Sequence, residues 1–155
     1  MKNTLKNIFK WLALPKRRML KIIFDTNFLL IPGSLKVDIF SEIDRIIDEP
    51  YELYVVDKTF QELNNIIENQ KGKYKTYAKI ALQLIKQKSI KVIDVKQKSL
   101  YMNPDFDEHI VDDILLEISD KNTIIATQDK ELRKKLALKK IKTIILRNKK
   151  YVELL

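Results

Sequence analysis

The run Ile22-Ile23-Phe24 is apolar at consecutive positions and ends on Asp25-Thr26-Asn27. Successive strand side chains point to opposite faces of the pleat, so a strand with no polar alternation has to be covered on both sides. A second run of this kind is Thr123-Ile124-Ile125-Ala126-Thr127. Two such strands belong in the middle of a parallel sheet with helices on both faces. The first of them delivers a carboxylate to the edge of that sheet.

The rest of the chain supplies matching parts. A strand over 20–25 is followed by a loop containing Pro32-Gly33-Ser34. A helix near 36–48 then carries Val37, Phe40, Ile43 and Ile47 on one face. Glu52-Leu53-Tyr54-Val55-Val56 reads as the second strand. A helix over 58–69 follows, with Phe60, Leu63, Ile66 and Ile67 inward, and Gly72 separates it from another over 74–87. The third strand is Ile90 to Val95, and residues 96–106 form a loop. A helix over 107–119 precedes the 123–127 strand. A helix over 129–138 leads to the last strand, Lys142-Thr143-Ile144-Ile145-Leu146. Strands alternating with helices imply an α/β/α sandwich with right-handed crossovers. In such a sandwich the chemistry sits beyond the carboxyl ends of the strands, where the strand order reverses.

At 155 residues the chain is long enough for one domain with a sizeable core. It has no Cys, which excludes a disulfide scaffold and a Cys-ligated zinc centre and suits the cytoplasm. A single His excludes a His-rich one. No stretch approaches the roughly 18 apolar residues of a spanning helix. Residues 4–14 read as a short amphipathic helix with Leu5, Ile8, Phe9 and Leu12 on one face, closed by Pro15. No small-residue cleavage site follows it, so it is not read as a signal peptide. Residues 1–18 are therefore expected to be a basic extension and 19–155 the domain proper.

Charge is unevenly spread. The net +9 divides into +7 over residues 1–24 and +8 over 130–155, leaving −6 between them. Basic surface attracts phosphates, and clustered carboxylates attract divalent cations.

The candidate carboxylates each admit a structural reading as well as a functional one. Asp25 could cap the following helix. Thr59-Phe60-Gln61-Glu62 has the form of a capping box, with Glu62 bonding back to the helix start. Asp112 and Asp113 suit the first turn of a helix, and spacing does not choose between them. Asp129 suits an N-cap. The convergence of all four regions on one sheet edge favours function, because like charges held together need compensation. Mg²⁺ or Mn²⁺ on oxygen ligands would supply it. His109, beside Asp107 and Glu108, reads as a surface residue.

Taken together, Phe24-Asp25-Thr26-Asn27, Val56-Asp57-Lys58-Thr59-Phe60-Gln61-Glu62-Leu63, Val111-Asp112-Asp113-Ile114-Leu115 and Ala126-Thr127-Gln128-Asp129-Lys130-Glu131-Leu132 resemble the PIN-domain ribonucleases. The likeness runs from about residue 20 to residue 151. It is strongest to archaeal proteins of the VapC toxin and rRNA-processing kinds. It implies a five-stranded parallel sheet in the order 3-2-1-4-5 and a metal-dependent endoribonuclease leaving 5′-phosphate and 3′-hydroxyl ends. Asp25, Glu62, Asp112 and Asp129 match the catalytic, metal-binding acids. Asn27 and Thr127 match positions that shape the site, and Asp113 stands as an accessory ligand. Lys130, Arg133 and Lys134, with Arg17 and Arg18, are the expected RNA-binding cations. The implied partners are single-stranded or looped RNA, a second copy of the chain and, for a toxin, an antitoxin. The alternative is a catalytically weak PIN fold that binds RNA or protein, motivated by the basic N-terminal segment. Leu5, Ile8, Phe9, Trp11 and Leu12 would suit docking onto a second copy or a membrane surface.

Overall fold

The computed structural model describes residues 19–95 and 110–155. The expected helix at 4–14, Arg17, Arg18, the loop at 96–106 and His109 lie outside them. In chain order the elements are β1 (Leu20–Phe24), α1 (Thr26–Leu29), α2 (Ile31–Leu35), α3 (Ile39–Ile46), β2 (Tyr51–Val56), α4 (Asp57–Asn69), α5 (Lys73–Gln87), β3 (Lys91–Ile93), α6 (Ile110–Ile118), β4 (Thr123–Ala126), α7 (Lys130–Leu138), β5 (Lys142–Arg147) and β6 (Tyr151–Leu154). The strands form one sheet in the order β3-β2-β1-β4-β5-β6. All neighbouring pairs are parallel except β5 and β6.

β1 and β4 lie at the centre, as their unbroken apolar runs require. Ile22 and Phe24 pack on one face with Phe28, Leu29, Ile39, Ile43, Ala78 and Ala81 from α1, α3 and α5. Ile23 packs on the other with Ile114, Leu115, Leu132 and Leu136 from α6 and α7. Ile22, Ile23 and Phe24 are all buried, and burying a side chain of that size contributes roughly 1.5–3 kcal/mol. The Phe24 ring meets Phe40 edge-on with centroids 5.7 Å apart. No helix among the described residues is long and apolar enough to cross a membrane.

The sheet departs from the expected five parallel strands by the addition of β6. Asn148 and Lys149 both take positive φ (51° and 55°), and the Lys150 amide donates to the Arg147 carbonyl at 3.0 Å. That tight turn folds β6 back along β5. Lysine stands where such turns favour glycine, which hides the hairpin from a reading of turn residues. As the last strand, β6 has backbone groups on its outer side. Those of Val152 are taken by α3: its amide donates to Glu42 Oε1 at 3.1 Å, and its carbonyl accepts from an Arg45 guanidinium nitrogen at 3.1 Å.

Other boundaries also move. Pro32-Gly33-Ser34 is the short helix α2 rather than a loop, since proline's fixed φ suits a first turn. α3 starts at Ile39 because Lys36 is left-handed (φ 60°) and the Asp38 carboxylate caps the amides of Phe40 and Ser41, each at 3.2 Å. β3 spans only Lys91–Ile93.

Candidate active site

β1 and β4 run side by side, and at their carboxyl ends the chain turns to opposite halves of the sheet. The Asp25 amide donates to the Ala126 carbonyl at 2.9 Å, extending the ladder by one residue and fixing where the side chain starts. Asp25 is 6% exposed. It occupies the N-cap position of α1, but its side chain makes no cap. Instead Oδ2 accepts a 2.7 Å hydrogen bond from the Thr127 hydroxyl.

Thr127 is fully buried and joins two acids. Its Oγ1 also accepts from the Asp129 amide at 3.1 Å. A hydroxyl has one proton, and here it goes to Asp25. The Thr127 amide donates to Ile144 at 3.1 Å, which ties this residue to β5.

Asp129 does cap α7. Its Oδ1 accepts from the amides of Glu131 at 2.8 Å and Leu132 at 3.1 Å, while Oδ2 takes no part in the cap. The structural reading of Asp129 is thus right for one oxygen.

The capping box proposed at Thr59 and Glu62 is absent. α4 begins at Asp57 with Val56 as its N-cap residue, so Thr59 lies inside the first turn. Buried Thr59 accepts from the Thr26 hydroxyl at 3.4 Å. That contact holds α4 against the residue following Asp25 and places half-buried Glu62 on the next turn.

Burial is the main force pushing the Asp25 carboxyl above its ordinary value. The negative charges of Glu62 and, less strongly, Asp129 push the same way; the Thr127 hydroxyl and the Thr26 amide oppose it. Asp25 therefore feels the charges of both Glu62 and Asp129.

Asp112 and Asp113 occupy the first turn of α6, both half-buried. Asn27 is exposed, within α1. Lys130 and Lys134 are exposed on α7; Lys134 pairs with Glu131 at 3.1 Å. Arg133 is half-buried, and its Nε is buried without a hydrogen-bond partner. Among the described residues, no three acidic or imidazole groups are gathered closely enough to hold a metal ion in this arrangement.

Two residues position this edge in roles the sequence did not reveal. Thr59, expected to cap a helix, instead bonds to Thr26. Gln128 is the other. Its side-chain amide accepts from the Leu146 amide at 2.6 Å and donates to the Leu146 carbonyl at 3.3 Å, fastening the segment before Asp129 to β5. Nothing in the local sequence marks that role.

Known proteins resemble this chain in sequence and in fold. Ribonuclease VapC4 of Methanocaldococcus jannaschii is 30% identical over 138 residues, covering 88% of this chain and 97% of that protein. The PIN domain endonuclease Utp24 superposes with a TM-score of 0.60 at 19% identity, over 86% of this chain and 90% of that one, a likeness of fold. Residues 22–149 match the PIN-like domain family, and the chain belongs to that family.

Proposed function

We propose that this protein is a divalent-metal-dependent endoribonuclease acting at the carboxyl ends of β1 and β4. The observation that carries this reading is Asp25: a buried carboxylate, held by Thr127, with the charges of Glu62 and Asp129 directed at it. Burial and like charge both oppose its ionisation, so the site is short of positive charge. A hard cation suits the oxygen chemistry of these acids, which would have to draw closer together to share it. The name and coverage of the VapC4 relative support ribonuclease activity.

In this reading Asp25, Glu62, Asp112 and Asp129 hold Mg²⁺ or Mn²⁺, with Asp113 as an accessory ligand and Asn27 and Thr127 shaping the site. The ion, when bound, supplies an activated water and offsets charge on the scissile phosphate and leaving oxygen. Thr127 fixes the Asp25 Oδ2 oxygen by its hydroxyl hydrogen bond. The helix amides fix Asp129 Oδ1, which leaves Oδ2 for ligation. Lys130, Arg133 and Lys134 attract the RNA phosphates beside the acids. Single-stranded or looped RNA is the substrate, a homodimer the assembly, and the cytoplasm the compartment. The biological role is that of a toxin held by an antitoxin or of an RNA-processing enzyme.

The test is incubation of the purified protein with single-stranded RNA, with Mn²⁺ or with EDTA, beside Asp25→Asn. Cleavage should need the metal and fall at least about a hundredfold in the variant. Cleavage indifferent to EDTA or to the substitution overturns the proposal. Tight RNA binding with no turnover under any divalent metal would make the protein a binding module.

A further inference from the structure

α7 does not only carry Asp129. It descends from the acidic edge towards the opposite edge of the sheet, nine residues at 1.5 Å each, or about 14 Å. Along it runs an open groove of about 570 Å³. Lys130, Arg133 and Lys134 of α7 line it, as do Lys140, Lys142 and Thr143 beyond the end of the helix; among the described residues no acidic side chain lines it. Five cations around one groove repel one another, and among the described residues only Lys134 of the five makes an ion pair, an exposed one with Glu131. Arg133, which also lines the groove, has a buried Nε–H with no hydrogen-bond acceptor.

Lys140 sharpens the point. The Ile141 amide bonds to the Leu136 carbonyl and the Lys140 amide to that of Ala137, closing α7 with Lys140 in the left-handed conformation (φ 58°). Glycine is the residue that fits this position without strain. Lysine stands there instead and lines the groove.

We infer that this groove holds the sugar-phosphate backbone of the RNA substrate, leading it from the acidic edge along α7 to Lys140 and Lys142. The assignment rests on the ribonuclease reading for the identity of the anion. It goes beyond that reading in giving the RNA a path and in naming two lysines remote from the acids. An RNA backbone suits the groove better than a small anion because the cations form a line, not a cup. The line begins at Lys130, next in sequence to Asp129.

The experiment measures binding of a labelled 12-nucleotide single-stranded RNA to the full chain in EDTA across a salt series. Lys140→Gln/Lys142→Gln should weaken binding about tenfold and flatten the log–log salt slope by about 1.4, the share of two phosphate contacts. A trinucleotide, too short to reach from the acids to these lysines, should bind both proteins alike. Lys79→Gln/Lys86→Gln on α5 removes the same charge elsewhere and should leave 12-mer binding unchanged. Lys140→Gly should hold or raise Tm while still weakening the 12-mer, which separates an RNA contact from a structural role. The inference is overturned if the groove pair behaves like the α5 pair, or if Lys140→Gly leaves 12-mer binding unchanged. It is overturned equally if polyglutamate of matched charge competes as well as RNA, which would make the groove a seat for acidic protein. Loss of binding in the groove pair, with wild type cleaving no RNA under Mn²⁺, would retain the path and overturn only the nuclease reading.

Discussion

A single hydroxyl group coordinates the candidate site. Thr127 Oγ1 gives its proton to Asp25 and accepts from the Asp129 backbone, so one atom sets the separation of two acids. Thr127→Val keeps the shape and removes both bonds. It strands a buried carboxylate and an amide, and should lower stability by about 1–3 kcal/mol, read by urea denaturation. Cleavage should fall at least tenfold with RNA affinity little changed, and Thr127→Ser should restore much of both. Asp25 itself should oppose folding when no cation is bound. Its folded-state pKa lies above its ordinary 3.8. Below the ordinary value the carboxyl is neutral in both states and there is no penalty. As pH rises through the folded pKa the native state must give up a proton it holds more tightly than the unfolded chain, and stability is lost. In EDTA, Asp25→Asn should therefore melt higher than wild type at about pH 8, with the gap closing towards about pH 4. Mn²⁺ should narrow the gap at the higher pH by stabilising wild type alone.

Among the elements, those fixed by dense local patterning were legible from sequence and those fixed by distant contacts were not. Ile22 to Phe24 and Ile124 to Ala126 announce central strands because consecutive apolar residues have no other place to go. The acids at their ends, Asp25 and Asp129, follow from knowing where those strands stop. The bond from Thr127 to Asp25 spans 102 positions, and that from Thr26 to Thr59 spans 33. No local spacing encodes either one. The Thr59 capping box was misplaced because the N-cap of α4 is Val56, three residues earlier and directly after β2, where Asp57 already supports the first turn. α2 escaped for a similar reason: its residues suggest a loop, while its stability comes from packing on α5. A Cβ added at Gly33 would lie 3.0 Å from the Tyr77 Cα, a backbone atom that cannot step aside alone. Gly33→Ala should therefore push α2 and α5 apart and cost about 1–3 kcal/mol, read as a lowered Tm, while exposed Ser34→Ala should change it little.

At the scale of the molecule, the acidic site and the basic groove share one structural spine, the segment Thr127 to Lys142. Its upper end is anchored to β1 through Asp25 and to β5 through Gln128, and its lower end turns into β5 at Lys140. The sequence showed the charge contrast between a negative middle and a positive end. The sequence also set Lys130, Arg133 and Lys134 beside Asp129; the fold adds Lys140 and Lys142 to the same groove. The far side of the sheet carries a different consequence. Glu42 and Arg45 grip the outward amide and carbonyl of Val152, where a further strand would otherwise bond. A helix thus stands in for the missing neighbour, and an unguarded rim of that kind is what invites one chain to zip onto another. A second molecule approaching along β6 at Val152 would meet side chains rather than a ready ladder, so sheet-to-sheet pairing of copies is blocked at that position.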